Sequence, residues 1–275
     1  MSNIDYKAIK GKKVLLYSGG MDCYIINQLE RPDVLLYINN HSNYSDIEVQ
    51  KLLDLRDNKK APWLRNLVIV DNFINMSDME RDDYIIPARN AYFILKAAEY
   101  GDEIIMGATS GDRSTDKDLL FAKQITDLLN HIYAFSHWCK DGRTISVNFK
   151  YKSFTKQDLI TALMTERVRQ HPRVDLAEIK EMIITELFGN SWSCYNPDHD
   201  HESCGICKPC LRKWLAILGV TNIDTSKQFV NSPREYFTPE RIEEWITREL
   251  DRENNRGRES AEIIYTLKAL RSGEI

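Results

Sequence analysis

Four of the chain's six cysteines fall close together, spaced Cys194-x9-Cys204-x2-Cys207-x2-Cys210. Short Cys-x2-Cys steps let backbone turns aim their sulfurs at one tetrahedral centre, and Gly205 and Pro209 suit such turns. Four thiolates select zinc, with an iron–sulfur cluster as the other option. Protein ligands would fill every position, so a zinc held there is structural rather than catalytic. His199 and His201, between the first two ligands, either replace a cysteine or belong to a solvated loop. Cys139 reads as a small buried hydrophobe.

The second chemical signal is Ser18-Gly19-Gly20-Met21-Asp22-Cys23, directly after the apolar run Val14-Leu15-Leu16-Tyr17. Two glycines permit a tight turn with unobstructed N–H groups, and a helix starting there offers more N–H donors and the positive end of its dipole. That is an anion cradle suited to phosphate or pyrophosphate; the plainer alternative is a tight strand–helix turn. Ser18 adds a hydroxyl, and Asp22 can bind magnesium or cap the helix. The string matches neither the dinucleotide fingerprint nor the Walker loop. Cys23 stands at a helix N-terminus, where a thiol can have a lowered pKa, or simply lines the loop.

These residues need a scaffold. Short apolar runs at 14–17, 34–38, 67–70 and 104–106 read as buried strands, and 24–29, 45–58 and 90–100 as helices. Strands alternating with helices predict an α/β fold with a mainly parallel sheet, with ligands at the carboxyl ends of the strands. The loops at Ser18, Asn39 and Gly107 all follow strands and so gather on one edge. Composition agrees: 43% hydrophobic, 28% charged and a net charge of −4 describe a globular chain without a charge-driven preference for nucleic acid. No apolar run approaches the roughly 18–20 residues that span a bilayer, and residues 1–13 lack a signal-peptide core, so a cytoplasmic location is expected.

Taken in order, the motifs resemble the 7-cyano-7-deazaguanine synthase family of the N-type ATP pyrophosphatase (PP-loop) superfamily. Ser-Gly-Gly-Met-Asp resembles the pyrophosphate loop. Ile86-Pro87-Ala88-Arg89-Asn90 is similar to the family's Pro-Gly-Arg-Asn, and Ile104-Ile105-Met106-Gly107-Ala108 to the strand before its substrate loop. Phe154-Thr155-Lys156-Gln157-Asp158 is similar to a family helix start. Ser193-Cys194-Tyr195 and Cys204-Gly205-x-Cys207-x2-Cys210-x-Arg212 are close to its zinc signature. The resemblance covers roughly residues 12–218. It implies a Rossmann-like sheet with helices on both faces and a zinc-binding helical region. It also implies a carbon–nitrogen ligase that splits ATP to AMP and pyrophosphate, adenylates the carboxylate of 7-carboxy-7-deazaguanine, and forms an amide or nitrile. ATP, magnesium and structural zinc follow as cofactors, and a homodimer as the assembly. Ser18, Gly19, Gly20, Met21, Asp22 and Cys23 would hold the pyrophosphate, with Asp22 on magnesium. Arg89 would face the nucleotide and Lys156 would stabilise phosphate charge. The plainer readings are a salt-bridged Arg89 and a solvated Lys156.

Two stretches depart from the family. Its substrate loop, Asp-x-Ser-Gly-Tyr-Pro-Asp-Cys-Arg, is here Gly111-Asp112-Arg113-Ser114-Thr115-Asp116-Lys117-Asp118, and its Asp-Tyr-Gly-Gln is Asn40-His41-Ser42-Asn43. Asp112 or Asp116 can still pair with a guanine-like amidine edge, unless the charged run is only a solvated loop, and Asn90 is a further candidate to bind the substrate. The adenylation half thus looks retained and the acceptor half rewritten. This motivates a ligase variant whose acceptor is an amine of a partner protein, and a zinc-containing binding module that has lost turnover. A charged helical segment at 158–188 is longer than the family suggests. A tail follows, with Thr238 capping a helix whose stripe is Ile242, Trp245, Ile246 and Leu250, a polar link at 252–258, and Ser260 as a cap for a last helix. The expected organisation is a nucleotide-binding domain over 1–150, a helical and zinc-binding region over 151–220, and a helical tail over 221–275.

Overall fold

The structure, a computed structural model, describes residues 6–57, 61–82, 85–112, 114–196 and 202–275. His199, His201 and Arg113 lie outside the described residues. The strands are β1 (Lys13–Leu16), β2 (Val34–Ile38), β3 (Leu67–Val70), β4 (Glu103–Met106) and β5 (Ser146–Asn148). The helices begin with α1 (Tyr6–Ile9), α2 (Met21–Glu30), α3 (Ser45–Asp57), α4 (Arg89–Ala97) and α5 (Leu119–Ile132). They continue with α6 (Lys156–Gln170), α7 (Leu176–Asn190), α8 (Lys208–Thr221), α9 (Pro233–Tyr236), α10 (Pro239–Arg256) and α11 (Arg258–Ser272). The chain forms two units, one of residues 1–18, 30–108 and 112–152, the other of 19–29, 109–111 and 153–275.

The first unit holds a parallel sheet in the order β3-β2-β1-β4-β5. Chain order reverses between β1 and β4, the switch point of a Rossmann-like α/β fold. Because every strand runs the same way, the loops after β1, β2 and β4, at Ser18, Asn39 and Gly107, share the carboxyl edge, as the sequence predicted. In β1, β2 and β4 every residue after the first is apolar and buried, because both faces of the central sheet are covered. On one face Val14, Leu16, Leu36, Ile38, Ile104 and Met106 form a core with Ile94 and Ala97 of α4 and Ala122, Ile125 and Leu129 of α5.

Sequence reasoning did not foresee α5 or β5. In α5 the leucines Leu119, Leu120 and Leu128 are exposed, which blurs its buried stripe. The strand β5 is three residues long and contains one apolar side chain. The helix expected at 90–100 is shorter, since α4 ends at Ala97.

In the second unit, Leu159, Ile160 and Leu163 of α6, Ile179, Ile183 and Leu187 of α7, and Trp214, Leu215 and Ile217 of α8 are buried. The long charged segment is two helices. Pro172 cannot donate a backbone bond and restricts His171, so α6 ends, and Asp175 caps α7 by accepting from Glu178 N–H at 2.8 Å. Two expectations for the tail need correction. No polar link spans 252–258: α10 runs to Arg256 and stops at Gly257, whose φ of +77° suits glycine. Ser260 does not cap α11 but lies inside it, where its Oγ donates to Glu249 Oε2 at 2.7 Å. Along α10 Ile242, Trp245 and Ile246 are buried as expected, while Leu250 is 43% exposed. Among the described residues no helix is long and apolar enough to cross a membrane.

Candidate functional site

β1 ends at Leu16, the chain turns through Ser18 and Gly19, and α2 begins at Met21. Gly19 has φ +75°, a left-handed conformation that costs an ordinary L residue about 1–2 kcal/mol. Its carbonyl accepts from Trp192 N–H at 2.8 Å. Ser18 is exposed beside the helix start, and Cys23 lies in the first turn, part-buried. The first turn of any helix presents N–H groups that lack an intrahelical acceptor and can meet an anion.

Asp22 and Lys156 meet. Lys156 is the first residue of α6, fixed by a capping box in which Thr155 Oγ1 accepts from Asp158 N–H at 3.0 Å and Asp158 Oδ2 accepts from Thr155 N–H at 2.9 Å. Its ammonium donates to Asp22 Oδ2, while Asp22 Oδ1 is buried with no partner among the described residues. Burial works against the Lys156 charge, but the carboxylates of Asp22 and Glu259 outweigh it and raise its pKa above the ordinary lysine value. A network holds α2 against α6 and α7. Tyr24 donates to Glu186 at 3.1 Å, and Arg167 donates to Glu186 at 2.8 Å and to Gln28 at 2.9 Å. The pairing of Asp22 with Lys156 is therefore set by packing rather than by sequence proximity.

Sequence reasoning missed two charged residues in this cluster. Arg212 of α8 forms an ion pair with Glu259 of α11 at 2.9 Å, both largely buried. Arg212 had a signal, the Cys210-x-Arg212 spacing, but Glu259 sits in an ordinary charged run and had none.

The other candidates belong to the first unit. Arg89 opens α4, donates to Tyr44 OH at 2.9 Å and lies 6.0 Å from the Phe93 ring centre. Burial pushes the neighbouring Glu48 up to about 7, opposed by the Tyr37 hydrogen bond and the Arg89 charge. Asn90 is buried. Asp112 pairs with Lys117 at 2.9 Å, and Asp116 accepts from Ser114 Oγ. The loop at 40–45 is closed by its own bonds, with Ser45 Oγ donating to Asn40 Oδ1 at 2.8 Å.

Ala88, just before α4, has φ +60° and ψ 7° where the resemblance places a glycine. Alanine pays a steric cost there that glycine does not. Ala88→Gly is expected to stabilise the fold by roughly 0.5–1 kcal/mol after glycine's greater unfolded-state entropy is subtracted. A denaturant midpoint that stays put or falls would refute this.

The four cysteines converge. Their sulfurs lie within 4.8 Å of one another, and Cys194 Sγ and Cys207 Sγ are 3.9 Å apart. Four sulfurs about 2.3 Å from a tetrahedral zinc would stand about 3.8 Å apart, so the donor set fits a metal ion. Backbone N–H groups of Asn196 and Cys204 donate to Cys194 Sγ, each at 3.4 Å, and that of Cys207 to Cys204 Sγ at 3.3 Å. Gly205 has φ +84°, and a Cβ there would fall 1.8 Å from the Asn231 carbonyl oxygen. Gly205→Ala is expected to cost more than about 1 kcal/mol and to lower metal content, measured by thermal melting and elemental analysis. Cys139 is buried, as expected.

A Rossmann-like sheet and a four-thiol centre define the class of protein. The chain belongs to the QueC family: the family model described as queuosine biosynthesis protein QueC matches residues 46–218. The match includes the thiol centre and begins after the Ser18–Cys23 loop. A curated relative, the 7-cyano-7-deazaguanine synthase of Rickettsia felis, is 25% identical over 228 residues, covering 73% of this chain and 91% of its own length. No solved structure matches the chain significantly.

Proposed function

We propose that the protein is an ATP-dependent, AMP-forming carbon–nitrogen ligase acting on 7-carboxy-7-deazaguanine. One observation carries this reading: Lys156 is paired with Asp22 across 134 residues of sequence, at the start of the helix that follows the Gly-Gly turn. The substrate carboxylate oxygen attacks the α-phosphorus of ATP, and pyrophosphate leaves. Ammonia attacks the acyl carbon, AMP leaves with a proton released, and an amide results. A second adenylation on the amide oxygen, followed by loss of AMP and a proton, gives the nitrile.

In this reading residues 18–23 hold the departing pyrophosphate, and Lys156 neutralises charge that builds on it. Asp22 Oδ1, buried without a partner, is the atom suited to magnesium, which when bound supplies further charge neutralisation. Arg89 is assigned to the nucleotide, and Asn90, Asp112 and Asp116 to the base, on the resemblance alone. The thiol centre is assigned to structural zinc because all its ligands come from the protein. A homodimer and a cytoplasmic location belong to the same reading.

Mass spectrometry after incubation with ATP, magnesium and 7-carboxy-7-deazaguanine, with and without ammonia, is the test. The expected products are AMP, pyrophosphate and the amide or nitrile. No AMP under any of these conditions would leave the binding-module reading in its place. A second reading is favoured by the rewritten loops at 40–43 and 111–118, where Asp112 is already engaged by Lys117. There the acceptor is an amine of a partner protein, and AMP forms in the assay while free ammonia gives no nitrile.

A further inference from the structure

The family match ends at residue 218, so α10 and α11 lie beyond it. Yet α11 delivers charge to the Lys156 cluster. Glu259, in its first turn, is 5% exposed. Glu259 Oε1 accepts from Arg212 at 2.9 Å, and its charge reaches Lys156. Glu259 Oε2 and Arg212 Nε are both buried without a hydrogen-bond partner among the described residues. Gly111 lies directly against this carboxylate, since a Cβ at 111 would fall 2.4 Å from Oε2. The same helix braces the start of α6, through Arg258 on Asp158 at 2.6 Å and Gln157 on Thr266 at 3.3 Å. Lys156, Gln157, Arg212, Glu259, Glu262 and Ile263 line one narrow cleft.

We propose that Glu259 is a positioning residue, through which the appended helix α11 sets the two cations, Lys156 and Arg212, that receive phosphate charge. The inference rests on the reading that Asp22 and Lys156 form the pyrophosphate site. Two cationic side chains on separate helices repel each other, even with Lys156 paired to Asp22. A buried carboxylate that bonds one and attracts the other fixes both before substrate arrives. It also opposes the binding of an anion in the ground state. Preset charges act where charge develops in the transition state, so such a group raises turnover at some expense in anion affinity.

That trade gives a readout that a purely structural ion pair would not. In Glu259→Gln, inorganic pyrophosphate with magnesium, titrated by calorimetry, is expected to bind at least about 3-fold more tightly, because a negative charge has gone. AMP formation is expected to fall about 10- to 100-fold in kcat. Glu259→Asp, which keeps the charge, is expected to recover part of kcat. Gly111→Ala puts a methyl group within 2.5 Å of the Glu259 carboxylate and so displaces it, and serves if Glu259→Gln does not fold. It is expected to lower kcat with no loss of pyrophosphate affinity.

The inference is overturned if kcat is unchanged, or if kcat and pyrophosphate affinity fall together with the melting temperature. Should the wild-type protein form no AMP, the functional reading fails by itself. The titration then decides on Glu259, with unchanged or weaker binding in the variant overturning it. Wild-type protein that binds no pyrophosphate sinks both.

Discussion

The Cys204→Ser/Cys210→Ser double variant is expected to purify without the zinc proposed for the wild-type protein and to melt roughly 10 °C or more below it. Structural zinc contributes about 10–16 kcal/mol of binding free energy in small zinc peptides, comparable to the whole stability of a domain. Part of that is recovered in a chain with its own core, which leaves a net loss of about 4 kcal/mol, at the large end of mutational effects, where loss of a metal belongs. For a chain this long each kcal/mol shifts the melting temperature by about 2–4 °C. The loss reaches the core because the centre is tied to it. Cys207 is the N-cap of α8, whose Trp214, Leu215 and Ile217 are buried, and the Cys204 carbonyl accepts from Asn231 N–H at 3.1 Å and from its side-chain Nδ2 at 2.9 Å. Elemental analysis should find close to one zinc per wild-type chain. Iron, with visible absorbance, would replace the zinc assignment with a cluster; no metal in protein purified without chelator would remove both.

What the sequence made legible was local. A strand, two glycines and a helix start are contiguous, and their physics can be read from neighbours alone. The cysteine spacing is equally local once two short turns are granted, and the capping box at Thr155 needs only residues 155–158. What stayed hidden depends on packing. Lys156 reads as a lysine at a helix start, solvated or functional with equal ease. Only the folding of α2 against α6 brings Asp22 to it. Glu259 has no mark among its charged neighbours, and its burial follows from α11 lying on α8 and α6. Lys213 is hidden in the same way. Its ammonium donates to the Leu187 carbonyl at 2.8 Å and Ser191 Oγ at 3.0 Å, binding α8 to the end of α7, although a lysine in a helix normally reads as surface. The missed strand β5 has too few residues to show a period and exists because β4 offers it an edge.

Lys156→Met is expected to lower kcat for AMP formation about 100- to 1,000-fold, the range seen when one preorganised donor to a developing anion is lost. Position strengthens the argument. A cation in the first turn of a helix opposes the helix dipole, at a cost of about 0.3–1 kcal/mol. Lysine at this place therefore does not serve the helix, and its removal should relieve α6 while harming the chemistry. One complication is Asp22, which methionine would leave part-buried without its counter-charge and so destabilised. The Asp22→Asn/Lys156→Met double variant separates the two effects. Removing both charges should return thermal stability to near the wild-type value, and activity should remain lost. If the double variant regained activity along with stability, the pair would be an ordinary ion pair that locks α2 to α6. If Lys156→Met alone kept full kcat with intact folding, charge neutralisation at this site would have to come from elsewhere.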